Sequence, residues 1–191
     1  KSRGTTTAAP FVGRVRELEA REQGLELAAR GQGRLFLIVG EPGIGKTRLA
    51  AEVCARAASR GMRALAGRCY EEAGSPPYWP WSEVLEPLLS GMKRKELGAL
   101  LGENAPLVAA AFPFVGRLLG ANGSAAPAGS AEELRFRMLN AVAGLLGKIA
   151  SASPLCIVLD DLHWADEGTL KVLLTAARQI ASARLMLVGT Y

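Results

Sequence analysis

Residues 35–57 carry three signals in one order, and that order leaves few folds open. Leu35-Phe36-Leu37-Ile38-Val39 is an unbroken apolar run of strand length, the pattern of a central parallel strand covered on both faces. Gly40-Glu41-Pro42-Gly43-Ile44-Gly45-Lys46-Thr47 follows at once and fits G-x-x-x-x-G-K-[ST], a phosphate-cradling loop. Leu49, Ala50, Val53, Cys54 and Ala57 then recur at helical spacing until Gly61. Strand, glycine loop and helix in that order predict an α/β P-loop fold, a parallel sheet with helices on both faces and its site at the strands' carboxyl ends.

The chemistry of such a loop accounts for each residue type. Gly40, Gly43 and Gly45 let backbone N–H groups converge on a β-phosphate with no Cβ in the way, and the following helix adds its positive end. Lys46 supplies a point charge for the β- and γ-oxygens, and the Thr47 hydroxyl is a candidate Mg²⁺ ligand. An accidental match in a glycine-rich chain is the bland alternative, and the correct flanks on both sides weigh against it.

A second segment points the same way. Leu155-Cys156-Ile157-Val158-Leu159-Asp160-Asp161 is a buried-strand run ending in two carboxylates, the form of a Walker B segment. Asp160 is the candidate metal ligand, and Asp161 is placed to polarise the attacking water. Relatives that hydrolyse usually carry glutamate there; aspartate is one methylene shorter, which predicts slow turnover. A strand-end turn or helix cap is the competing reading for the pair.

Composition sets limits. A chain of 191 residues holds one domain of ordinary size, and 49% hydrophobic with 21% charged residues reads as globular. No apolar run approaches the ~20 residues of a membrane span, and no signal-peptide pattern is visible, which predicts a cytoplasmic protein without a membrane partner. The net charge is +5, but the basic residues are scattered. Lys93-Arg94-Lys95 reads as a solvated helix face, so no direct nucleic-acid contact is expected. Cys54, Cys69 and Cys156 are widely spaced among apolar neighbours and fit reduced core thiols better than disulfides or zinc.

Further along, a helix carrying Leu18, Leu25 and Ala28 is expected to end at Gly31-Gln32-Gly33, and residues 62–69 to form a second strand. Ser75-Pro76-Pro77-Tyr78-Trp79-Pro80-Trp81 reads as a rigid aromatic loop, followed by helices over 82–89, kinked at Pro87, 94–101 and 107–119. Residues 121–129 form a small-residue linker expected to be mobile. Ser130-Ala131-Glu132-Glu133 is a capping-box sequence opening a helix with Leu134, Met138, Val142, Leu145 and Ile149 on one side. Leu185-Met186-Leu187-Val188 is the last strand of the sequence.

Taken together, Phe11-Val12-Gly13-Arg14, Gly40 to Leu49, Leu159-Asp160-Asp161-Leu162-His163-Trp164-Ala165-Asp166 and Val188-Gly189-Thr190-Tyr191 resemble the ATPase domain of the STAND group within the AAA+-like proteins. That domain occurs in large LuxR-type transcriptional regulators and multidomain cyclases and kinases, and is similar to origin-recognition-like ATPases. The first residues are polar or small and read as a disordered tail over 1–10, whereas the resemblance runs from about residue 11, which gives an ATPase domain over 11–191 with a helical insertion at about 71–130. The resemblance implies ATP or ADP with Mg²⁺ as ligands, Val12 and Arg14 near the adenine, and Thr190 at a sensor position. The loop residues Gly40, Glu41, Pro42, Gly43, Ile44, Gly45, Lys46, Thr47 and Arg48 would surround the phosphates. Catalysis would fall to Lys46 and Asp161, and the metal to Thr47 and Asp160.

The resemblance also implies a sensor arginine, a fifth strand and a helical lid beyond Tyr191, with the fifth strand beside the phosphate-loop strand. The domain therefore reads as incomplete at its carboxyl end, with 35–39 a sheet edge prone to self-association and the lid and output domains of its own polypeptide as partners. Nucleotide-dependent self-association is a further expected contact. His163 could report on a γ-phosphate, although a residue there more often packs; Trp164 reads as a packing anchor and Asp166 as a helix N-cap. Tyr78, Trp79 and Trp81 read as covering a core edge. The function expected is ATP binding with slow Mg²⁺-dependent hydrolysis, used as a conformational switch in a signalling or transcription-regulating protein. The alternatives are a nucleotide-gated interaction module with little turnover and, fitting less well, a small-molecule phosphotransferase.

Overall fold

A computed structural model describes residues 15–71, 76–120 and 128–191. Val12 and Arg14, the expected tail over 1–10 and most of the expected linker over 121–129 lie outside the described residues. Four parallel strands form one sheet in the order β1-β4-β3-β2, with β1 at Arg34–Ile38, β2 at Arg63–Arg68, β3 at Leu155–Asp160 and β4 at Leu185–Thr190. Every residue of β3 and β4 is buried, which is why both read as continuous apolar runs. Alternation splits their side chains between two cores.

On one face, Cys156, Val158, Met186 and Val188 pack against α1 (Val15–Ala29) and α2 (Lys46–Ser59). On the other, Leu155, Ile157, Leu159, Leu185 and Leu187 meet a larger helical layer. That layer comprises α3 (Trp79–Leu89), α4 (Arg94–Leu101), α5 (Ala105–Ala111), α6 (Pro113–Leu119), α7 (Ala131–Ala152) and α8 (Glu167–Gln179). The N-cap half of the expected capping box is present: Ser130 accepts a hydrogen bond from the Glu133 N–H at 3.2 Å.

Two expectations are corrected here. The expected helix over 107–119 is two helices, because Pro113 has no N–H and bars helical geometry at Phe112 (φ −127, ψ 87). The aromatic loop is shorter than expected, since Trp79 and Pro80 already begin α3, which then runs through Pro87 to Leu89. The edge position expected for 35–39 agrees with the strand order, since among the described residues β1 pairs with β4 alone and Leu37 is 54% and Val39, just beyond it, 70% exposed. The apolar run alone does not distinguish an edge from a central strand.

The opposite edge is treated differently. Helix α3 lies along β2, and the Cβ that a substitution at Gly67 would add falls 2.0 Å from the Pro80 carbonyl oxygen, so only glycine permits this approach. Glu83 accepts the Arg68 N–H at 2.7 Å, and the Arg63 guanidinium reaches the carbonyls of Pro87 and Leu88 at 3.4 Å. Trp81 is fully buried and donates Nε1–H to the Thr169 carbonyl at 3.1 Å, tying α3 to α8.

Two outcomes follow from this architecture. Trp81→Ala is expected to cost about 3–5 kcal/mol of stability, read from the urea midpoint, because it removes a large core side chain together with its hydrogen bond to α8. For the 191-residue chain, in which β1 has no outer partner among the described residues, concentration-dependent association is expected in sedimentation velocity, with Leu37→Lys reducing it. Equal association of both forms would show that β1 is not the contact.

Candidate functional site

The glycine loop leaves β1 at Gly40, whose N–H donates to the Tyr191 carbonyl at 3.3 Å while the Tyr191 N–H donates to Ile38 at 2.9 Å. These bonds continue the β1–β4 ladder up to the first loop residue. Gly43 (φ 80) and Gly45 (φ 91) take left-handed backbone that a side chain would strain, and Gly45 then caps α2. Helix α2 thus begins at Lys46 with its amino end at the loop.

The Lys46 ammonium donates to the carbonyls of Gly40 at 2.6 Å and Glu41 at 3.1 Å, folded back over its own loop. The next residue turns the other way: Thr47 Oγ1 donates to Asp160 Oδ1 at 3.3 Å, across 113 positions of sequence. The loop motif and the strand-end carboxylates therefore meet. Pro42, Gly43, Gly45, Lys46, Thr47, Arg48, Ala51, Asp161 and His163 line one cleft of about 540 Å³, within the size range of small-molecule sites. Glu41 and Ile44 are exposed.

Asp160 is only 8% exposed. Its Oδ1 accepts from Thr47 and also from the hydroxyl of the fully buried Thr190, at the end of β4. The same Thr190 oxygen accepts the Asp161 N–H at 2.8 Å, so one side chain positions both carboxylate residues. Oxygen donors alone, one of them a nearly buried carboxylate, fit a hard divalent cation such as Mg²⁺. No group of three or more His, Cys, Asp or Glu with metal-holding geometry exists among the described residues. That suits a cation which takes one or two protein oxygens and draws its remaining ligands from water and phosphate.

Asp161 stands just past β3 in the left-handed region (φ 57). Its Oδ2 accepts from Arg68 Nε at 3.0 Å and Nη2 at 2.9 Å. The sequence did not single out Arg68, and its role is visible only once β2 is known to lie beside β3, with Arg68 opposite Asp160. Cys69, the next residue, is buried, and burial reinforced by the surrounding carboxylates pushes its thiol up to about 12, so it is no nucleophile. Cys54, Cys69 and Cys156 are all free thiols, as expected.

Asp166 caps α8 as expected, accepting the Thr169 N–H at 2.9 Å, and it also accepts the Tyr78 N–H at 3.2 Å. The packing expected of His163 and Trp164 is not what the fold gives them. They sit with Leu162 in a single 3₁₀ turn in which only Leu162 reaches the core, and both rings are exposed. The His163 ring stands 5.0 Å from that of Trp164 and 6.1 Å from that of Tyr191, at the mouth of the cleft.

Residues 10–188 match the family model described as AAA ATPase domain. The chain is also similar to an uncharacterised protein of Rhizobium meliloti (strain 1021), 29% identical over 195 residues that cover 95% of this chain. The chain spans 18% of that protein's length. No helix among the described residues is long and apolar enough to cross a membrane.

Proposed function

Because this chain belongs to the AAA ATPase domain family, we propose that it binds ATP with Mg²⁺, hydrolyses it slowly, and serves as a conformational switch within a larger signalling or transcription-regulating protein. The observation that carries this reading is the contact between Thr47 and Asp160, which joins the phosphate loop to the strand-end carboxylates. The small share of its relative's length that the chain spans supports the larger setting.

The roles follow from the positions. Gly43 and Gly45 present backbone N–H groups to the phosphates, and Lys46 exchanges the Gly40 and Glu41 carbonyls for β- and γ-oxygens. Thr47 and Asp160 would hold Mg²⁺, which supplies neutralisation of charge on the β- and γ-phosphates. Asp161 orients the attacking water. Thr190, bonded to both aspartates, conveys the state of the γ-phosphate site to β4, and through the Tyr191–Gly40 bond to the loop itself. Arg48 lines the cleft with them. A lid packed according to the γ-phosphate would complete the switch.

The second reading, a module that binds ATP or ADP tightly and hardly turns over, rests on the aspartate at 161, shorter by one methylene than glutamate. Phosphate release from labelled ATP by the intact protein separates the two. Steady release supports the ATPase; purification with bound ADP and no release supports the module.

Lys46→Ala is expected to weaken ATP affinity at least tenfold in a nucleotide titration, since charge-assisted contacts of about 1.5–3 kcal/mol each are lost. Unchanged affinity would remove the phosphate-loop assignment. Asp160→Asn is expected to abolish the Mg²⁺ dependence of ATP binding, whereas Asp161→Asn spares binding and lowers turnover. Hydrolysis surviving both substitutions would refute the division of roles.

A further inference from the structure

Two of the three free thiols face each other. Cys54 on α2 packs against the core that holds Cys156 of β3, and the two side chains are hydrogen-bonded. Cys69 lies in the other core, across the sheet. Cys156 is fully buried, whereas Cys54 is half-buried and retains part of its surface in contact with solvent.

The pair is chemically unequal. The hydrogen bond from Cys156 lowers the Cys54 thiol below its ordinary range and outweighs the opposing effect of burial, while the same bond and burial together raise Cys156. Cys54 is thus the more nucleophilic and the reachable sulfur, with a protonated thiol directly behind it.

Their positions bear on the nucleotide site. Cys54 lies two turns down α2 from Thr47, about 10 Å, and Cys156 stands four residues back from Asp160 along β3, about 13 Å. The thiols and the Thr47–Asp160 contact therefore join the same helix to the same strand at two heights. Packing asks only for small apolar side chains at 54 and 156, and no step proposed for nucleotide uses a thiol. What two adjacent sulfurs add is the capacity to form a bond.

We propose that Cys54 and Cys156 form a reversible disulfide on exposure to hydrogen peroxide, and that this bond, by drawing α2 onto β3, lowers the affinity of the site for Mg²⁺–ATP. The effect on affinity rests on the Mg²⁺–ATP reading given above; the disulfide does not. The Cys54 thiolate attacks one peroxide oxygen, the O–O bond breaks, and hydroxide leaves a sulfenic acid on Cys54. The Cys156 sulfur then attacks the Cys54 sulfur, the S–O bond breaks, and the departing hydroxide takes the Cys156 proton as water. Two thiols lose two electrons to one peroxide, which ends as two waters. A disulfide holds its sulfurs about 2 Å apart, inside hydrogen-bond contact, so its formation moves α2 against β3. Mg²⁺ demands near-ideal octahedral geometry, and a shift of Thr47 relative to Asp160 disturbs both of its proposed protein ligands.

The test treats the intact protein with hydrogen peroxide, alkylates the remaining thiols after denaturation, and maps Cys54, Cys69 and Cys156 by non-reducing digestion and mass spectrometry. ATP titration with Mg²⁺ is the second readout. The expected result is a linked Cys54–Cys156 peptide pair, an alkylated Cys69, and ATP affinity about tenfold weaker, restored by dithiothreitol. Cys54→Ser is expected to form no link and to keep the affinity of the reduced wild type through peroxide treatment. Cys156→Ser is expected to stop at the Cys54 sulfenic acid, trapped by dimedone; should it fail to fold, Cys156→Ala carries the same comparison.

Peroxide that leaves both sulfurs open to alkylation overturns the disulfide, as does a Cys54 carried to sulfinic or sulfonic acid with Cys156 still free. A linked pair with unchanged ATP affinity overturns the effect on the site, and so does an equal loss of affinity in Cys54→Ser, which would place the damage elsewhere. A reduced wild type that binds no ATP defeats the nucleotide reading and the effect on affinity with it, while the linked peptides alone decide the disulfide.

Discussion

The buried carboxylate of Asp160 organises this domain. A carboxyl group at 8% exposure demands partners, and it draws them from two other elements: the hydroxyl of Thr47 at the head of α2 and that of Thr190 at the end of β4. Three segments far apart in sequence therefore converge on one oxygen. Their convergence requires β4 to sit between β1 and β3, as the strand order has it. It also requires the loop between β1 and α2 to turn back over the strand ends, which the left-handed Gly43 and Gly45 allow. A hydroxyl pair satisfies the hydrogen-bonding capacity of Oδ1 without supplying a counter-charge, which is why the proposed cation site and the structural joint coincide at this position.

Much of this was legible in the sequence because its signals are local. The strand, glycine loop and helix around Gly40 to Thr47 depend on the covalent order of a few residues, and so does the apolar run ending at Asp160. Ser130 and Asp166 were legible as caps for the same reason: a cap bonds to an N–H three residues away. Pro113 splitting the expected helix was equally local, and the rule that a residue before proline avoids helical backbone would have found it.

What escaped was set by neighbours across the sheet. Arg68 looks like any basic residue ending a strand until the order places β2 against β3 and Asp161 within its reach. The edge position of β1 was not legible in its apolar run, which fits a central strand and an edge alike, and came only from the strand order that the resemblance implies; the exposure of Leu37 and Val39 agrees with it. His163 and Trp164 illustrate a third limit. Aromatic character argued for packing, but a three-residue 3₁₀ turn has room to bury only one side chain, and Leu162 takes that place.

The aromatic segment at the start of α3 then acquires a reason beyond covering the core. Asp166 accepts the N–H of Tyr78, itself left-handed at φ 61, and Trp81 bonds the carbonyl of Thr169, so the first turn of α8 is pinned to α3 twice. Glu83, one turn on, pins the end of β2. Between β3 and α8 the chain has only the stretch from Asp161 to Asp166, and both its flanks, the strand beside it and the helix after it, are fixed to the same element. A short turn held at both sides has little freedom to let Asp161 wander, which is how a left-handed aspartate persists there without glycine. Helix α3 thus contributes rigidity to the segment that carries Asp161, while Trp79 at its start stays open at the surface.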